Sequence, residues 1–446
     1  MKVSIIGCGY VGLVTAACLA ELGHEVIGHD DDPARQAALE AGRLPLFEPH
    51  LEELAARHRR SGRLRFRREA AEAYGAAEVL FICVNTPPLP TGDADLSALG
   101  RVARYIVAYA PPTTLVVTKS TVPVRTTPAL AARLASERPD NPFQVASNPE
   151  FLREGTAVRD FLHPHRIVLG VSSKTAEKKL RAVYQPLLER RFNCPFHQPC
   201  TEPPPPVVVT DAVTAELIKH AANSFLALKI SYANALADLC DLCGADVEKV
   251  VEAMGLDPRI GPQFLRPGLG FGGFCLPKDV QAFYRLAERS GYDFSLLWEV
   301  DRINQQRVTR FLDKARELVD GLGGKTIAVL GLSFKPNTDD IRFAPSLAVL
   351  EGLLREGARV RASDPQAMEK TRPLFPGVAY TRDPYQAALG ADCLLLLTEW
   401  EEFLHLDWSR MGQAMKRRLV VDGRNCLDPA VLKASGFTYR AMGRPG

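Results

Sequence analysis

The sequence has no long hydrophobic run and no marked excess of one charge. No apolar stretch in the 446 residues approaches the roughly 18 residues of a transmembrane helix, and the densest cluster, Leu394 to Leu397, has the length of a strand. Lysine and arginine total 55 against 52 aspartates and glutamates, a net charge of +3. We therefore expect neither a membrane nor a nucleic acid as partner, because nucleic-acid binding needs a strongly basic face or domain.

We also expect no cleavable signal, since Met1 to Ile6 runs directly into Gly7. The ten cysteines are scattered through a long chain, so we expect a cytoplasmic protein with reduced thiols and no disulfide framework. Most of these cysteines should be small buried hydrophobic residues.

We expect no metal site. The pair Cys240 and Cys243 lies within helical sequence, and Cys194, His197 and Cys200 match no familiar zinc module in their spacing, with or without that pair.

Short apolar strands alternate with amphipathic helices in the first third of the chain, which predicts a doubly wound parallel sheet. Four consecutive prolines, Pro203 to Pro206, then indicate an exposed turn or a boundary. From Ala212 to about Leu242 the sequence predicts one helix of roughly 30 residues, longer than a single domain needs. Such a helix connects domains or carries a subunit interface.

The last 120 or so residues repeat the opening pattern. Lys325 to Gly331 resembles Lys2 to Gly7, and Gly357 to Asp364 resembles Gly23 to Asp30. We therefore predict an α/β fold: two Rossmann-like, doubly wound parallel-sheet domains joined by a long helix and a helical central section. The predicted domains are residues 1–206, 207–320 and 321–446.

A G-x-G-x-x-G turn follows the first predicted strand and begins a helix. Its members are Gly7, Gly9, Tyr10, Val11 and Gly12, and its glycines allow the backbone to approach a pyrophosphate at the helix N-terminus. Asp30 ends the second strand, where a carboxylate binds the ribose hydroxyls of NAD and repels the 2′-phosphate of NADP. NAD is favoured, although Arg35 is a mild signal for NADP; the alternative is a Rossmann turn that binds no nucleotide.

The second repeat keeps one glycine, Gly331, and therefore has no room for a dinucleotide turn. Lys335, Arg342 and Arg424 lie near the carboxyl ends of predicted strands and are candidates for contacts with another phosphate ligand. Each of them alone is also compatible with a solvated surface cation.

Cys275 is the cysteine with the most distinctive surroundings. Four glycines precede it within Gly268 to Gly273, and Lys278 follows, so the thiol is either a nucleophile or a packed loop residue. Lys219 and Asn223 are four residues apart on the long helix and share a face, where they either stabilise an oxyanion or form a solvated stripe. Thr118 to Pro123 and Ser147 to Gly155 follow strands and place polar residues at the same sheet edge.

Together these stretches resemble the nucleotide-sugar 6-dehydrogenase family over essentially the whole chain, most closely its UDP-glucose members. The motifs that carry the resemblance are the glycine turn, Val84 to Pro88, Lys119 to Pro123, Asn148 to Gly155, Ala215 to Lys219 with Asn223, Phe271 to Asp279, and Phe334 to Arg342.

The resemblance implies a four-electron oxidation of a sugar C6 alcohol to a carboxylate with NAD, through a thiohemiacetal and a thioester on Cys275. It implies a catalytic set of Cys275, Lys219, Asn223, Asp279, Glu150 and Thr121. The implied NAD ligands are Gly7, Gly9, Tyr10, Val11, Gly12, Asp30, Arg35, Thr86, Ser120, Glu154, Lys278 and Arg342. The implied sugar-nucleotide ligands are Phe151, Leu152, Arg153, Arg259, Phe264, Gly272, Lys335 and Arg424, with Arg259 supplied across the interface of a homodimer or larger homo-oligomer.

Four positions depart from the family pattern. Phe274 stands where serine is common, Leu276 where phenylalanine is common, Arg125 where glycine is usual and Phe343 where glutamate is common. UDP-glucose is the leading substrate, and GDP-mannose or a UDP-N-acetylhexosamine is the alternative. The other alternative functions are a two-electron hydroxyacid-type dehydrogenase and a non-catalytic nucleotide-sensing protein.

Overall fold

The computed structural model describes residues 1–140, 142–197 and 200–445. The chain divides into two compact units, Met1–Ala222 and Asn223–Gly446, which we call the first and the second unit. Among the described residues, no helix combines the length and the apolar composition needed to cross a bilayer.

The first unit alternates strands and helices as the sequence predicts. Its elements in chain order are β1 (Lys2–Ile6), α1 (Tyr10–Glu21), β2 (Glu25–His29), α2 (Pro33–Glu40), α3 (Leu51–Arg60), β3 (Leu64–Phe66), α4 (Ala70–Gly75), β4 (Val79–Ile82), α5 (Ser97–Tyr109), β5 (Leu115–Thr118), α6 (Thr126–Glu137), β6 (Gln144–Ser147), α7 (Ala157–Leu162), β7 (Ile167–Gly170), α8 (Lys174–Leu188) and β8 (Val207–Thr210).

These strands form one sheet in the order β3-β2-β1-β4-β5-β6-β7-β8. All pairs are parallel except β6 with β7, which meet antiparallel at a single register position, Ser147 with Gly170. The central strands are buried along their whole length because helices cover both faces. β8 follows the four prolines, so this sheet continues beyond residue 206, where the first predicted domain ends.

A 32-residue helix, α9 (Ala212–Cys243), runs from the first unit into the second and matches the long helix that the sequence predicts. The second unit continues with α10 (Val247–Gly255), α11 (Cys275–Arg289), α12 (Ser295–Val319), β9 (Thr326–Leu330), α13 (Pro345–Arg355), β10 (Arg359–Ser363), α14 (Met368–Thr371), β11 (Ala379–Tyr380), α15 (Pro384–Ala388), β12 (Cys393–Leu396), α16 (Glu401–Leu404), α17 (Trp408–Ala414), β13 (Leu419–Asp422), α18 (Pro429–Ala434) and β14 (Thr438–Ala441). Its six strands form a parallel sheet in the order β11-β10-β9-β12-β13-β14.

The internal repeat is confirmed at the end of the first strand of each sheet. Gly7 and Gly331 both have a positive φ, 92° and 98°. The N–H of Gly7 donates to the carbonyl of His29 over 2.9 Å, and that of Gly331 donates to Ser363 over 2.8 Å. Each glycine therefore ends its strand in the left-handed turn that this supersecondary unit needs.

Candidate active site

The glycine turn between β1 and α1 has the tight packing that a dinucleotide turn requires. A Cβ on Gly7 would lie 2.8 Å from the backbone of Cys83, and a Cβ on Gly12 would lie 1.8 Å from the carbonyl oxygen of Gly7. Gly9 is the N-cap of α1, and Tyr10 and Val11 begin that helix, so backbone N–H groups are available for a phosphate at its N-terminus. The turn fits the pyrophosphate of a dinucleotide.

Asp30 is held at the end of β2, beside this turn. Its Oδ2 accepts a hydrogen bond from the N–H of Cys8 over 2.7 Å, and the guanidinium of Arg35 lies 3.1 Å from the same oxygen. The buried carboxylate is thus fixed where a ribose of the cofactor would lie. Arg35 forms an ion pair with this carboxylate. This arrangement fits NAD better than NADP, because the fixed negative charge repels a 2′-phosphate.

Glu48 joins the glycine turn to the segment after β6. It accepts hydrogen bonds from the Tyr10 hydroxyl and from the N–H groups of Gly155, over 2.6 Å, and Ala157, over 2.7 Å. Burial raises the pKa of the Tyr10 hydroxyl, and the Glu48 charge raises it further. Sequence reasoning missed Glu48, whose neighbours Leu46, Phe47 and Pro49 show no motif.

Two further cofactor candidates lie where β4 and β5 end. The Thr86 hydroxyl donates to the carbonyl of Thr121 over 2.8 Å, and the Ser120 hydroxyl donates to Val84 over 2.7 Å. These bonds tie together the two loops at the carboxyl edge of the sheet, beside the strand that ends in the glycine turn.

Glu150 and Lys219 form a buried ion pair. Their side chains are 5% and 4% exposed and 3.0 Å apart, and Glu150 also accepts the N–H of Leu152 over 2.6 Å. The Lys219 ammonium lies 5.4 Å from the centre of the Phe151 ring. The structure thereby brings together four predicted site residues from the loop after β6 and from α9.

Arg153 and Glu154 follow in the same loop. The Arg153 guanidinium pairs with Asp160 of α7 over 2.7 Å, and this hydrogen bond raises the pKa of Arg153. Glu154 lies close enough for its charge to raise the pKa of Tyr10. Arg153 is thus engaged by α7, outside the Glu150–Lys219 pair.

In the second unit, polar side chains of α9 and α12 hold the glycine-rich loop before Cys275. Asn234 accepts the N–H of Gly268 over 2.8 Å, Asn304 accepts that of Phe271 over 2.7 Å, and Arg307 donates to the Gly268 carbonyl over 3.1 Å. Sequence reasoning did not find these positioning residues. The sequence shows only that Asn304 and Arg307 lie three residues apart in a predicted helix, and the full burial of Arg307 is known only from the structure.

Cys275 is the first residue of α11, and Phe274 is its N-cap. The N-terminus of a 15-residue helix carries the positive end of the helix dipole, a setting in which reactive cysteines are found. Gly272 and Gly273 are required by close packing: a Cβ on Gly272 would lie 2.4 Å from the Phe343 carbonyl oxygen, and one on Gly273 would lie 2.7 Å from the Phe334 ring.

Lys278 and Asp279 lie one turn along α11, and Asn223 of α9 contacts Asp279. The Asn223 amide donates to Asp279 Oδ2 over 2.6 Å, and the Lys278 ammonium lies 2.5 Å from Asp279 Oδ1. All three residues are at most 7% exposed. Lys219 and Asn223 are one turn apart on α9, so they share a face as predicted.

Phe274 contacts two cations. Its ring centre lies 4.5 Å from the Arg342 guanidinium and 5.7 Å from the Lys278 ammonium. As N-cap of α11 it makes no side-chain capping hydrogen bond. A serine here could make a capping hydrogen bond to the helix, which phenylalanine cannot. Phe274 instead makes cation–π contacts with two predicted cofactor ligands.

Arg424 lies at the carboxyl edge of the second sheet. Its guanidinium donates to the carbonyls of Leu397, over 2.6 Å, and Phe334, over 2.8 Å, which follow β12 and β9. The Lys335 ammonium lies 5.4 Å from the centre of the Phe334 ring. Two predicted substrate cations thus share contacts with one loop.

Asp364 is the counterpart of Asp30 in the second unit, but its carboxylate is already bound by donors of the protein itself. It accepts the N–H groups of Leu332 and Ser333 and the indole N–H of Trp400, at 2.7, 3.1 and 3.1 Å. A buried carboxylate with these donors has no place for ribose hydroxyls. This supports a ligand other than a dinucleotide in the second repeat.

Two predicted substrate residues lie apart from these groups. Arg259 pairs with Asp257 over 2.6 Å and its side chain is 88% exposed, while Phe264 has a positive φ of 64°. Neither contacts a predicted site residue through the hydrogen bonds and ion pairs of the described residues.

Comparison with known proteins identifies the three parts of this arrangement. Residues 1–188 match the NAD binding domain, residues 213–306 the central domain and residues 328–429 the UDP binding domain of the UDP-glucose/GDP-mannose dehydrogenase family. The chain belongs to this family. Its match to the NAD binding domain agrees with the glycine turn and Asp30, and its match to the UDP binding domain agrees with the different second repeat.

Members of this family resemble the chain over its full length. It is 43% identical to a UDP-glucose 6-dehydrogenase of Rhizobium meliloti over 100% of both chains, and 43% identical to one of Pseudomonas aeruginosa over 100% of this chain and 98% of that one. A solved UDP-glucose dehydrogenase structure from Pyrobaculum islandicum superposes with a TM-score of 0.88 at 40% identity, covering 99% of this chain and 98% of the other.

Proposed function

We propose that this chain is an NAD-dependent UDP-glucose 6-dehydrogenase that oxidises C6 of the sugar to the carboxylate of UDP-glucuronate. The observation that carries the proposal is Cys275 at the N-terminus of α11, one turn from the buried Asn223–Asp279–Lys278 cluster. The full-length similarity to UDP-glucose 6-dehydrogenases supports the choice of substrate.

Each catalytic residue has a task that its chemistry suits. When bound, NAD supplies the hydride acceptor for both oxidations of C6. Asp279, with Thr121, positions the water that accepts the proton of the C6 hydroxyl, while Lys219 and Asn223 stabilise the developing oxyanion. Cys275 Sγ adds to the aldehyde carbon to form a thiohemiacetal.

The second oxidation leaves a thioester on Cys275. Glu150 assists a water molecule in attacking the thioester carbonyl, which breaks the C–S bond, releases the carboxylate and returns the Cys275 thiol. The buried Lys219 pairs with Glu150 over 3.0 Å and holds its carboxylate in place for this role.

The ligand assignments draw on residues of both units. We assign NAD to Gly7, Gly9, Tyr10, Val11, Gly12, Asp30, Arg35, Thr86, Ser120, Glu154, Lys278 and Arg342. We assign UDP-glucose to Phe151, Leu152, Arg153, Arg259, Phe264, Gly272, Lys335 and Arg424. The three predicted domains, residues 1–206, 207–320 and 321–446, divide these tasks.

We also propose a homodimer or larger assembly through α9, in the cytoplasm. Large apolar side chains on this helix are exposed in the single chain, among them Phe225, Tyr232 and Leu239 at intervals of seven residues. Arg259 would reach the substrate of the partner subunit. Light scattering should give at least twice the mass of one chain. Phe225→Asp should lower the measured mass, because it places a charge on the exposed apolar side of α9.

A substrate panel with a cysteine variant tests the proposal. Wild-type enzyme should produce NADH with UDP-glucose in clear preference to GDP-mannose and the UDP-N-acetylhexosamines. Cys275→Ser should lose carboxylate formation, while Cys243→Ser, at an exposed thiol on α9, should keep it. Full turnover by Cys275→Ser would favour a two-electron dehydrogenase, and no NADH with any sugar nucleotide would favour a non-catalytic sensor.

A further inference from the structure

Four metal-ligating side chains converge in the first unit, away from the residues assigned above. They are His163, directly after α7, and Cys194, His197 and Cys200, in the connection between α8 and β8. One donor atom of each residue lies within 4.8 Å of those of the other three. We propose that these four residues bind one structural zinc ion.

The distances suit a tetrahedral centre. His163 Nε2 and His197 Nδ1 lie 3.2 and 3.3 Å from Cys194 Sγ. Zinc bonds of roughly 2.0 Å to nitrogen and 2.3 Å to sulfur place neighbouring ligands about 3.4–3.8 Å apart in a tetrahedron. The two Cys194 pairs therefore need to move by only a few tenths of an ångström, and a donor pair at the 4.8 Å limit by about 1 Å.

The Glu202 carboxylate hydrogen-bonds the His197 imidazole and lies within ion-pair distance of the His163 imidazole. Its two carboxylate oxygens lie 3.1 Å from His163 Nδ1 and 3.1 Å from His197 Nε2, the ring nitrogens that do not face Cys194. A carboxylate on the far nitrogen of each histidine leaves the other nitrogen free to bind metal, as in zinc sites generally. One residue performs this role for both ligands.

The surroundings and the charge balance favour zinc. Cys194 is 3% exposed, the His163 side chain is 2% exposed, and Phe192 and Phe196 flank His163. On binding, the two thiols release their protons to solvent, and two thiolates then neutralise the charge of Zn²⁺. Two sulfur and two nitrogen ligands in a closed tetrahedral site are typical of structural zinc.

Sequence spacing did not reveal this site because its fourth ligand lies 31 residues before Cys194. With Cys240 and Cys243 as the partners considered, the set matched no zinc module. The fold supplies His163 instead. The ion would fasten the connection that leads into β8 to the end of α7, the helix whose first residue is bound by Glu48.

Metal analysis of the full-length, tag-free protein tests the proposal without relying on activity. Mass spectrometry of acid-digested samples should find about one zinc per chain. X-ray absorption should show about two sulfur ligands near 2.3 Å and two nitrogen ligands near 2.0 Å. Cys194→Ser and Cys200→Ser should lose the zinc, and the matched control Cys243→Ser should retain it.

A milder variant covers the case in which the cysteine variants fail to fold. Glu202→Gln keeps all four ligands, and we expect its zinc affinity, measured against a competing chelator, to fall roughly 10–100-fold. Wild-type protein supplied with zinc that holds almost none would overturn the proposal. So would a Cys194–Cys200 disulfide in the freshly purified protein, or an unchanged affinity in Glu202→Gln.

Discussion

Asn223 donates a 2.6 Å hydrogen bond to Asp279 and so links α9 to the helix that begins at Cys275. Both side chains are buried, and the second oxygen of Asp279 is bound by Lys278. The Asp279 carboxylate therefore has a fixed orientation relative to the Cys275 thiol. This preorganisation is what a positioned proton acceptor and an oxyanion donor require.

Asn223→Ala should lower kcat by about 10²–10³, because it removes an oxyanion donor and frees Asp279 to rotate. The KM for NAD should change far less. Gln305→Ala, which removes an exposed amide on α12, is the matched control and should behave as wild type. Steady-state kinetics of NADH formation measure both variants, and an unchanged kcat in Asn223→Ala would remove this residue from the mechanism.

Asp30→Ser should shift the cofactor preference from NAD towards NADP. The substitution removes a charged acceptor worth about 1.5–3 kcal/mol, so kcat/KM for NAD should fall roughly 10–100-fold. It also releases Arg35, which lies 3.1 Å from Asp30, to bind a 2′-phosphate. Asp31→Ser removes the same charge at the adjacent residue and should leave the preference unchanged; an equal shift there would show a general charge effect.

Much of the fold was predictable because its signals are local. β5 occupies Leu115–Thr118 as predicted, and α9 extends one residue beyond the expected Leu242, since apolar runs and helical composition specify these elements directly. Glu48 and Asn304 were not predictable, because each acts on backbone groups far along the chain. His163 was not predictable either, because its partner Cys194 lies 31 residues further along the chain.

Arg125 has a left-handed backbone conformation that favours glycine. It is the N-cap of α6 with a φ of 77°, where a side chain costs about 1–2 kcal/mol. Arg125→Gly should therefore raise the free energy of unfolding, by about 0.5–1 kcal/mol after the greater freedom of glycine in the unfolded chain is subtracted. Arg125→Ala keeps the strain and should not stabilise the protein; equal unfolding curves for the two variants would contradict this account.

Glu216 should make stability depend on pH. Burial raises the pKa of this carboxyl, while hydrogen bonds from Thr127 and Arg125 act in the opposite direction. Because the folded pKa lies above the unfolded value of about 4.3, the contribution of Glu216 to stability is full below that pH and falls as pH rises through the folded pKa.

Glutamine at this position does not titrate, so the stability of Glu216→Gln relative to wild type should rise between about pH 4 and pH 7. Urea unfolding of both proteins at the two pH values measures the difference. A relative stability that falls over this range would mean that the folded protein favours the charged carboxylate.

The stoichiometry of the reaction tests the central claim most directly. Each molecule of UDP-glucose consumed should give one molecule of UDP-glucuronate and about two molecules of NADH, because Cys275 retains the aldehyde until the second oxidation. NADH absorbance and chromatography of the sugar nucleotide give both quantities from one reaction. A ratio near two in the wild type agrees with the mechanism, and a ratio of one, with aldehyde as the product, would contradict it.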